Sequence, residues 1–253
     1  MKDKTIGKPI RKMGEVSYVL GNILCALGVC ISAKSGLGVS TVVSPAFVIS
    51  SYTQPLVPFL TFGTVDYIMQ GIIILLLALT LRKFSISYPR AFFTAVFYGV
   101  SLDLWRLVFG TEITEVIYLK IIYMIAGALI TEISIALLLR SYLPQQGYDF
   151  AVKQISVNKN LKINAVKWAF DIFSLALAVI LMFILFGKFD FSLVGIGTLI
   201  LAVVNAPMIA LFGKILDKFM DFSPFFKTFA EKVFKVGITD DGEIEKDNET
   251  KTA

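Results

Sequence analysis

The residues best placed to do chemistry fall into two sets. The first is ionisable groups inside apolar runs. Glu132 sits deep in the run 116–139 with no cation on its own turns, so it is the candidate for a proton- or substrate-coupled carboxylate. A charge at the centre of such a run costs roughly 3 kcal/mol unless it is paired or hydrated, which makes each one a functional candidate. Asp66 and Asp171 stand near the starts of two other runs, where a helix dipole alone favours a carboxylate, and capping explains them as well as function does. Asp103 and Arg106, three apart, share a helical face and are expected to pair; a structural ion pair is the plainer reading. The second set is polar and flexible. "SAKSGLGVSTVVSPAFVISS" (32–51) brings Ser35, Gly36, Gly38, Ser40 and Thr41 directly after a greasy run. "YLPQQGYDFAVKQIS" (142–156) brings Gln145, Gln146, Gly147 and Asp149 after another. Glycines permit close backbone approach, and hydroxyls and amides hydrogen-bond a polar ligand; an ordinary surface loop is the competing account.

Other chemistries are excluded or unsupported. There is no histidine, which removes His-ligated metals, a Ser-His-Asp triad and an imidazole relay. GLGVS is neither a P-loop nor a GxGxxG or GxSxG motif. No metal, cofactor or catalytic set is read, and the chain is not expected to be an enzyme. Cys25 and Cys30, five apart on different helical faces, read as small unbridged packing residues.

The elements that must carry these groups follow from composition. With 56% hydrophobic and 17% charged residues and a mean hydropathy of +0.76, the chain departs from soluble averages of about 45–50% and about 25%. Six runs are long enough to cross a bilayer as helices: 16–33, 60–81, 91–110, 116–139, 166–187 and 192–213. They are continuous, unlike the alternating strands of a membrane barrel. The first run exceeds a signal-peptide core and lacks a convincing cleavage site, so it reads as a retained span. With the N-terminus inside, the inner segments hold fourteen cations (Lys2, Lys4, Lys8, Arg11, Lys12, Arg82, Lys83, Arg90, Arg140, Lys153, Lys159, Lys162, Lys214, Lys218) and the outer ones two, Lys34 and Lys188. That asymmetry puts both termini in the cytoplasm. The net charge of +5 is then a topology signal, answered by anionic lipid at the inner loops and not by nucleic acid.

The two halves repeat one pattern. "LGNILCALGVCISAKS" (20–35) lies over "AGALITEISIALLLRS" (126–141), and "VDYIMQGIIILLLALTLRKFSIS" (65–87) over "FDIFSLALAVILMFILFGKFDFS" (170–192), with Asp66 on Asp171. "RLVFG" (106–110) matches "IALFG" (209–213). Each unit holds three spans, an odd number, so the second unit is inverted relative to the first. Inverted repeats are common in transporters, whose sites lie near the midplane between them.

Ser40 and Thr41 are good helix caps and Pro45 suits a first turn, so a short helix is expected over 40–51. Asp149 is expected to cap another from Phe150. Small residues at 195, 197 and 198 and Pro207 mark the sixth span, where tight packing is the plainer reading. Gln70 and Asn205 offer hydrogen bonds within the spans. The expected organisation is a basic N-terminus (1–15), two three-helix repeats (16–110 and 111–213), an interfacial amphipathic helix (214–236) and a disordered polar tail (237–253).

"SGLGVS", "FGT" (62–64), "YGVSLDLW" (98–105) and "GIGT…NAPM" (195–208) together resemble the YczE/YyaS/YitT-like bacterial integral membrane proteins over about residues 16–213. The sequence departs from that pattern at Val42-Val43-Ser44-Pro45 and at Gly147-Tyr148-Asp149. The resemblance implies a bacterial inner-membrane protein and lends no substrate. The expectation is an all-α membrane protein of six spans arranged 3+3, a transporter or permease for a small polar solute. The alternative is a non-catalytic accessory or sensor subunit, with a membrane partner protein or a second copy as its associate.

Overall fold

The computed structural model describes residues 13–82 and 85–225. Eight helices follow one another: α1 (Gly14–Ser35), α2 (Ser44–Thr53), α3 (Phe62–Leu81), α4 (Ser87–Phe109), α5 (Ile117–Arg140), α6 (Gly147–Lys159), α7 (Ile163–Phe186) and α8 (Ile196–Phe219). No strand of a sheet occurs among the described residues. Six of the helices have the length and apolarity to cross a bilayer, and α2 and α6 are the short ones. The order long, short, long, long occurs twice.

Local sequence accounts for the ends. Gly36 closes α1 in the left-handed region (φ 62°), and Gly187 closes α7 the same way. Thr61 caps α3, its hydroxyl accepting from Thr64 N at 3.2 Å. Pro45 occupies the first turn of α2, as expected. Ser40 and Thr41 do not cap that helix: residues 40–43 already turn, Ser44 N reaches back to Ser40 O at 3.1 Å, and α2 begins at Ser44 without a side-chain cap. Asp149 does not cap either. It lies inside the first turn of α6, which opens after Gln146. The last span runs six residues past the expected end at Gly213, so 214–219 belong to α8, and Met220 after it is extended. The basic segment 1–12, Lys83-Phe84, most of the expected interfacial helix (226–236) and the tail 237–253 lie outside the described residues.

The interior combines an apolar core with many buried polar side chains, and the exterior is broadly apolar. Asn22, Ser44, Asp66, Gln70, Thr94, Ser134 and Thr198 are fully buried. Large apolar side chains face outward along α3 (Ile72, Leu75, Leu76, Leu79), α5 (Ile117, Ile121, Ile122, Ile125) and α7 (Ile172, Phe173, Ile180, Ile184). A water-soluble domain does not tolerate so broad an apolar surface, whereas lipid requires it. The chain is a multi-pass membrane protein in contact with lipid.

At the centre α1 lies along α5. A Cβ on Gly28 would strike Gly127 O and Thr131 N, and one on Gly127 would strike Gly28 O and Ser32 N, so the two backbones touch. Lys34 Nζ donates to Phe109 O, and Thr114 N to Lys34 O, gathering the ends of α1 and α4 and the approach to α5 at one end. At the other end Arg140 forks onto Asp217 at 2.5 and 2.7 Å, and Tyr142 donates to Glu15 at 2.6 Å. These are called below the Ser35 end and the Arg140 end.

Candidate functional site

Each short helix starts deep and runs back toward the end it entered from. Gly147 N, at the start of α6, donates at 2.7 Å to Gln70 Oε1, and Gln70 lies eight residues into α3 and eleven from its finish. At 1.5 Å per residue that is about 16 Å in from the Arg140 end. Phe150, in the first turn of α6, packs edge-on against Tyr88 at the start of α4, and α6 then runs toward the start of α7. On the opposite side Thr41 Oγ1 donates at 3.1 Å to Asp171, fifteen residues, or about 22 Å, before the finish of α7. The end of α2 then meets the end of α7, Tyr52 lying edge-on to Phe186. The two polar loops therefore enter from opposite ends and reach the interior. Irregular backbone at that depth needs protein or water around it, and here protein provides most of it.

The clasps are exchanged between halves. The first-half loop holds Asp171 on α7, and the second-half loop holds Asp66 on α3. Asp66 is fully buried; it accepts from Tyr148 OH at 2.9 Å and from Gln70 Nε2 at 2.7 Å. The pattern continues at the span starts. Pro144 O accepts from Thr94 Oγ1 on α4 at 3.2 Å, while a Cβ on Gly38 (φ 103°) would collide with Thr198 and Gly195 at the start of α8. Gly197 N donates to Leu37 O at 2.9 Å. The small residues 195, 197 and 198 thus serve the loop 37–38.

Between the helix starts lies a cavity of about 40 Å³ lined by Ser40, Val43, Tyr98, Gln146, Tyr148, Asp149, Lys167, Asp171 and Asn205, among others. That volume has room for water and not for a larger solute. Lys167 pairs with Asp149 at 3.4 Å and lies within electrostatic reach of Asp171 and Glu132. Glu132 is buried behind it. With its amide nitrogen turned toward the acceptors, Asn205 donates to Glu132 Oε1 at 2.7 Å and to Leu201 O at 2.8 Å. Glu132 Oε2 and Tyr98 OH, both buried, have no hydrogen-bond partner among the described residues. No group of three or more acids or cysteines suited to a metal occurs among the described residues. Cys25 and Cys30 are buried free thiols.

Two open vestibules flank this centre. At the Ser35 end a cavity of about 440 Å³ is lined by Cys30, Lys34, Ser51, Gln54, Arg106 and Asp190, among others. At the Arg140 end one of about 390 Å³ is lined by Arg90, Tyr142, Pro144, Gln145, Lys153 and Gln154, among others. There, burial and then the Glu15 carboxylate that accepts its hydrogen bond raise the Tyr142 hydroxyl above the ordinary phenol value.

The expected site residues divide accordingly. Ser40, Thr41, Gln146, Gly147, Asp149, Asp66, Asp171 and Glu132 gather around the centre. Gln145 faces the Arg140-end vestibule. Ser35 and Gly36 do not reach the centre: Ser35 Oγ accepts from Leu37 N and donates to Ser32 O, terminating α1, and Gly36 lies against Ile113. Gly38 packs on α8. The expected Asp103–Arg106 pair does not form. Asp103 instead accepts from Thr61 Oγ1 at 2.5 Å and Gly63 N at 2.8 Å, tying α4 to the start of α3, because those donors stand directly across the helix contact. Arg106 lies over the Phe62 ring, 5.5 Å from its centroid. Sequence reasoning missed Lys167, Tyr98, Tyr148 and Thr94. Lys167 was findable as a cation one turn before Asp171; the tyrosines look like any other aromatic of a span.

No curated protein and no solved structure matches the chain. A family model matches residues 12–214, covering both sets of long and short helices and nearly all of the site. The chain belongs to that family, DUF6198, a family of unknown function.

Proposed function

We propose that the protein is a non-enzymatic transporter or permease for a small polar solute, built as two inverted repeats of three spans and working by alternating access. The observation that carries this reading is the pair of short helices. They enter from opposite ends, start near mid-depth, and leave between their starts a small polar centre flanked by two open vestibules. The exchanged clasps, Thr41 to Asp171 and Tyr148 to Asp66, are what two inverted halves would make across their interface. Helix starts present amides and a positive dipole end to the centre, which favours polar and anionic groups. Glu132, half-satisfied by Asn205 and near Lys167, is the proposed coupling carboxylate. The cation asymmetry orients the Ser35 end outward and the Arg140 end toward the cytoplasm. Anionic lipid would face the Arg140 end, in a bacterial inner membrane, and the resemblance to YczE/YyaS/YitT-like proteins belongs to this reading.

Cysteine-accessibility mapping in intact cells tests it. Single cysteines at 36–50 and 142–156, on a Cys25→Ser/Cys30→Ser background, are treated with small hydrophilic thiol reagents from each side. The transporter reading expects Ser40→Cys to react from outside and Gln146→Cys from inside. Reaction confined to the rims, with deep positions silent, would remove it in favour of an accessory or sensor subunit with a membrane partner.

A further inference from the structure

Arg106 stands in the last turn of α4 and lines the vestibule at the Ser35 end. A guanidinium is charged at every accessible pH and presents five donors in a planar fork. Inside a membrane protein such a group is ordinarily paired or bathed in a water-filled cavity. Here the nearest carboxylate in sequence, Asp103, is already held by Thr61 and Gly63. Arg106 takes part in no ion pair among the described residues, and its Nη1 is buried without a hydrogen-bond partner. The guanidinium carbon stands over the Phe62 ring at 5.5 Å from its centroid, within cation–π range. Lys34 lines the same cavity, and the acid there, Asp190, is engaged by Ser192 N at 2.9 Å and Ser192 Oγ at 2.6 Å.

We infer that this vestibule is a receptor for a small oxyanion, a carboxylate or phosphate-like group, with Arg106 as its principal ligand and Ser51 and Gln54 as polar neighbours. The inference rests on the transport reading and gives its solute a charge. The rest of the path is consistent with that sign. Among the described residues, the vestibule at the Arg140 end is lined by Arg90 and Lys153 and by no acid. Three of the central carboxylates have partners from within, Asp66 in Tyr148 and Gln70, Asp171 in Thr41 and Asp149 in Lys167; Glu132 is bonded by Asn205 at Oε1 and keeps Oε2 without a partner among the described residues, as a proton-coupling group requires.

The test reads the sign of the vestibule without knowing the solute. In the full chain with Cys25→Ser and Cys30→Ser, Ser51→Cys is reacted with a sulfonate-bearing and with a trimethylammonium-bearing methanethiosulfonate. Arg106→Gln is expected to lower the ratio of anionic to cationic reaction rates by about tenfold, within the range by which local charge alters encounter rates. Arg106→Lys, which keeps the charge, is expected to leave the ratio largely intact, and monodisperse elution of both variants shows that they fold. Acetate, phosphate or glutamate is expected to slow the anionic reagent in the parent and not in Arg106→Gln; which of the three acts distinguishes carboxylate from phosphate. An unchanged rate ratio in Arg106→Gln, or no protection by any of the three anions at up to about 100 mM, which is about 100-fold above a Kd of about 1 mM, overturns the inference. Either result leaves the transport reading to the accessibility of Ser40→Cys and Gln146→Cys.

Discussion

The two loop-to-span clasps do the same job with unequal means. At Asp66 two donors, Tyr148 OH and Gln70 Nε2, converge on a carboxylate with no exposure, and Gln70 also accepts from the first amide of α6. At Asp171 the loop supplies a single hydroxyl, Thr41, to a carboxylate that is half-buried. Lys167 adds attraction there but spends its hydrogen bond on Asp149. In a low-dielectric interior each buried hydrogen bond to a charged group matters more than it would in water, and an unmade one is costly. On the transport reading proposed above, the second-half loop is expected to be the more firmly held wall of the site and the first-half loop the one that moves.

That inequality sets an order of effects. Gln70→Leu strands Gly147 N and removes one donor from Asp66, so it is expected to destabilise by roughly 3 kcal/mol. A thermal melt of the detergent-solubilised protein should show this as a fall of about 6–12 °C in midpoint. Tyr148→Phe removes one donor and leaves Gln70, for about 1.5–2 kcal/mol by the same measurement. Thr41→Val is expected to cost about 1 kcal/mol, with a larger effect on function than on stability: labelling of Ser40→Cys from the Ser35 end should speed up, because the mobile loop is released. If Thr41→Val melts as low as Gln70→Leu, the two clasps are equal and the comparison fails. The smallest effect belongs to the Asp149–Lys167 pair. Each side chain is about one-third exposed, and a double-mutant cycle of Asp149→Asn with Lys167→Gln should give a coupling of about 0.5–1 kcal/mol.

Much of this was legible before any coordinates. Continuous apolar runs located all six spans, with starts and ends displaced by a few residues, because hydropathy does not see caps such as Thr61 or the continuation of α8 to Phe219. The Gly- and Pro-marked loops announced both short helices. What failed was reasoning confined to one helix. Asp103 and Arg106 share a face, yet each found a better partner on α3, the first in Thr61 and Gly63, the second in the Phe62 ring. Glu132 looked isolated because Asn205 and Lys167 approach it from other spans. Side-chain partners across helices are set by packing, and spacing along one helix carries no information about them.

The central claim is that the two vestibules open in turn onto one centre. Thiols at Gln54 and Thr111, on the Cys25→Ser/Cys30→Ser background, allow the Ser35-end vestibule to be tied shut with a bifunctional thiol reagent. A third cysteine, Gln146→Cys, is then labelled from the Arg140 end after blocked thiols are accounted for. The account predicts that tying one vestibule closed makes Gln146→Cys react several-fold faster. An unchanged or slower reaction would contradict alternating access and leave the short helices as structural plugs.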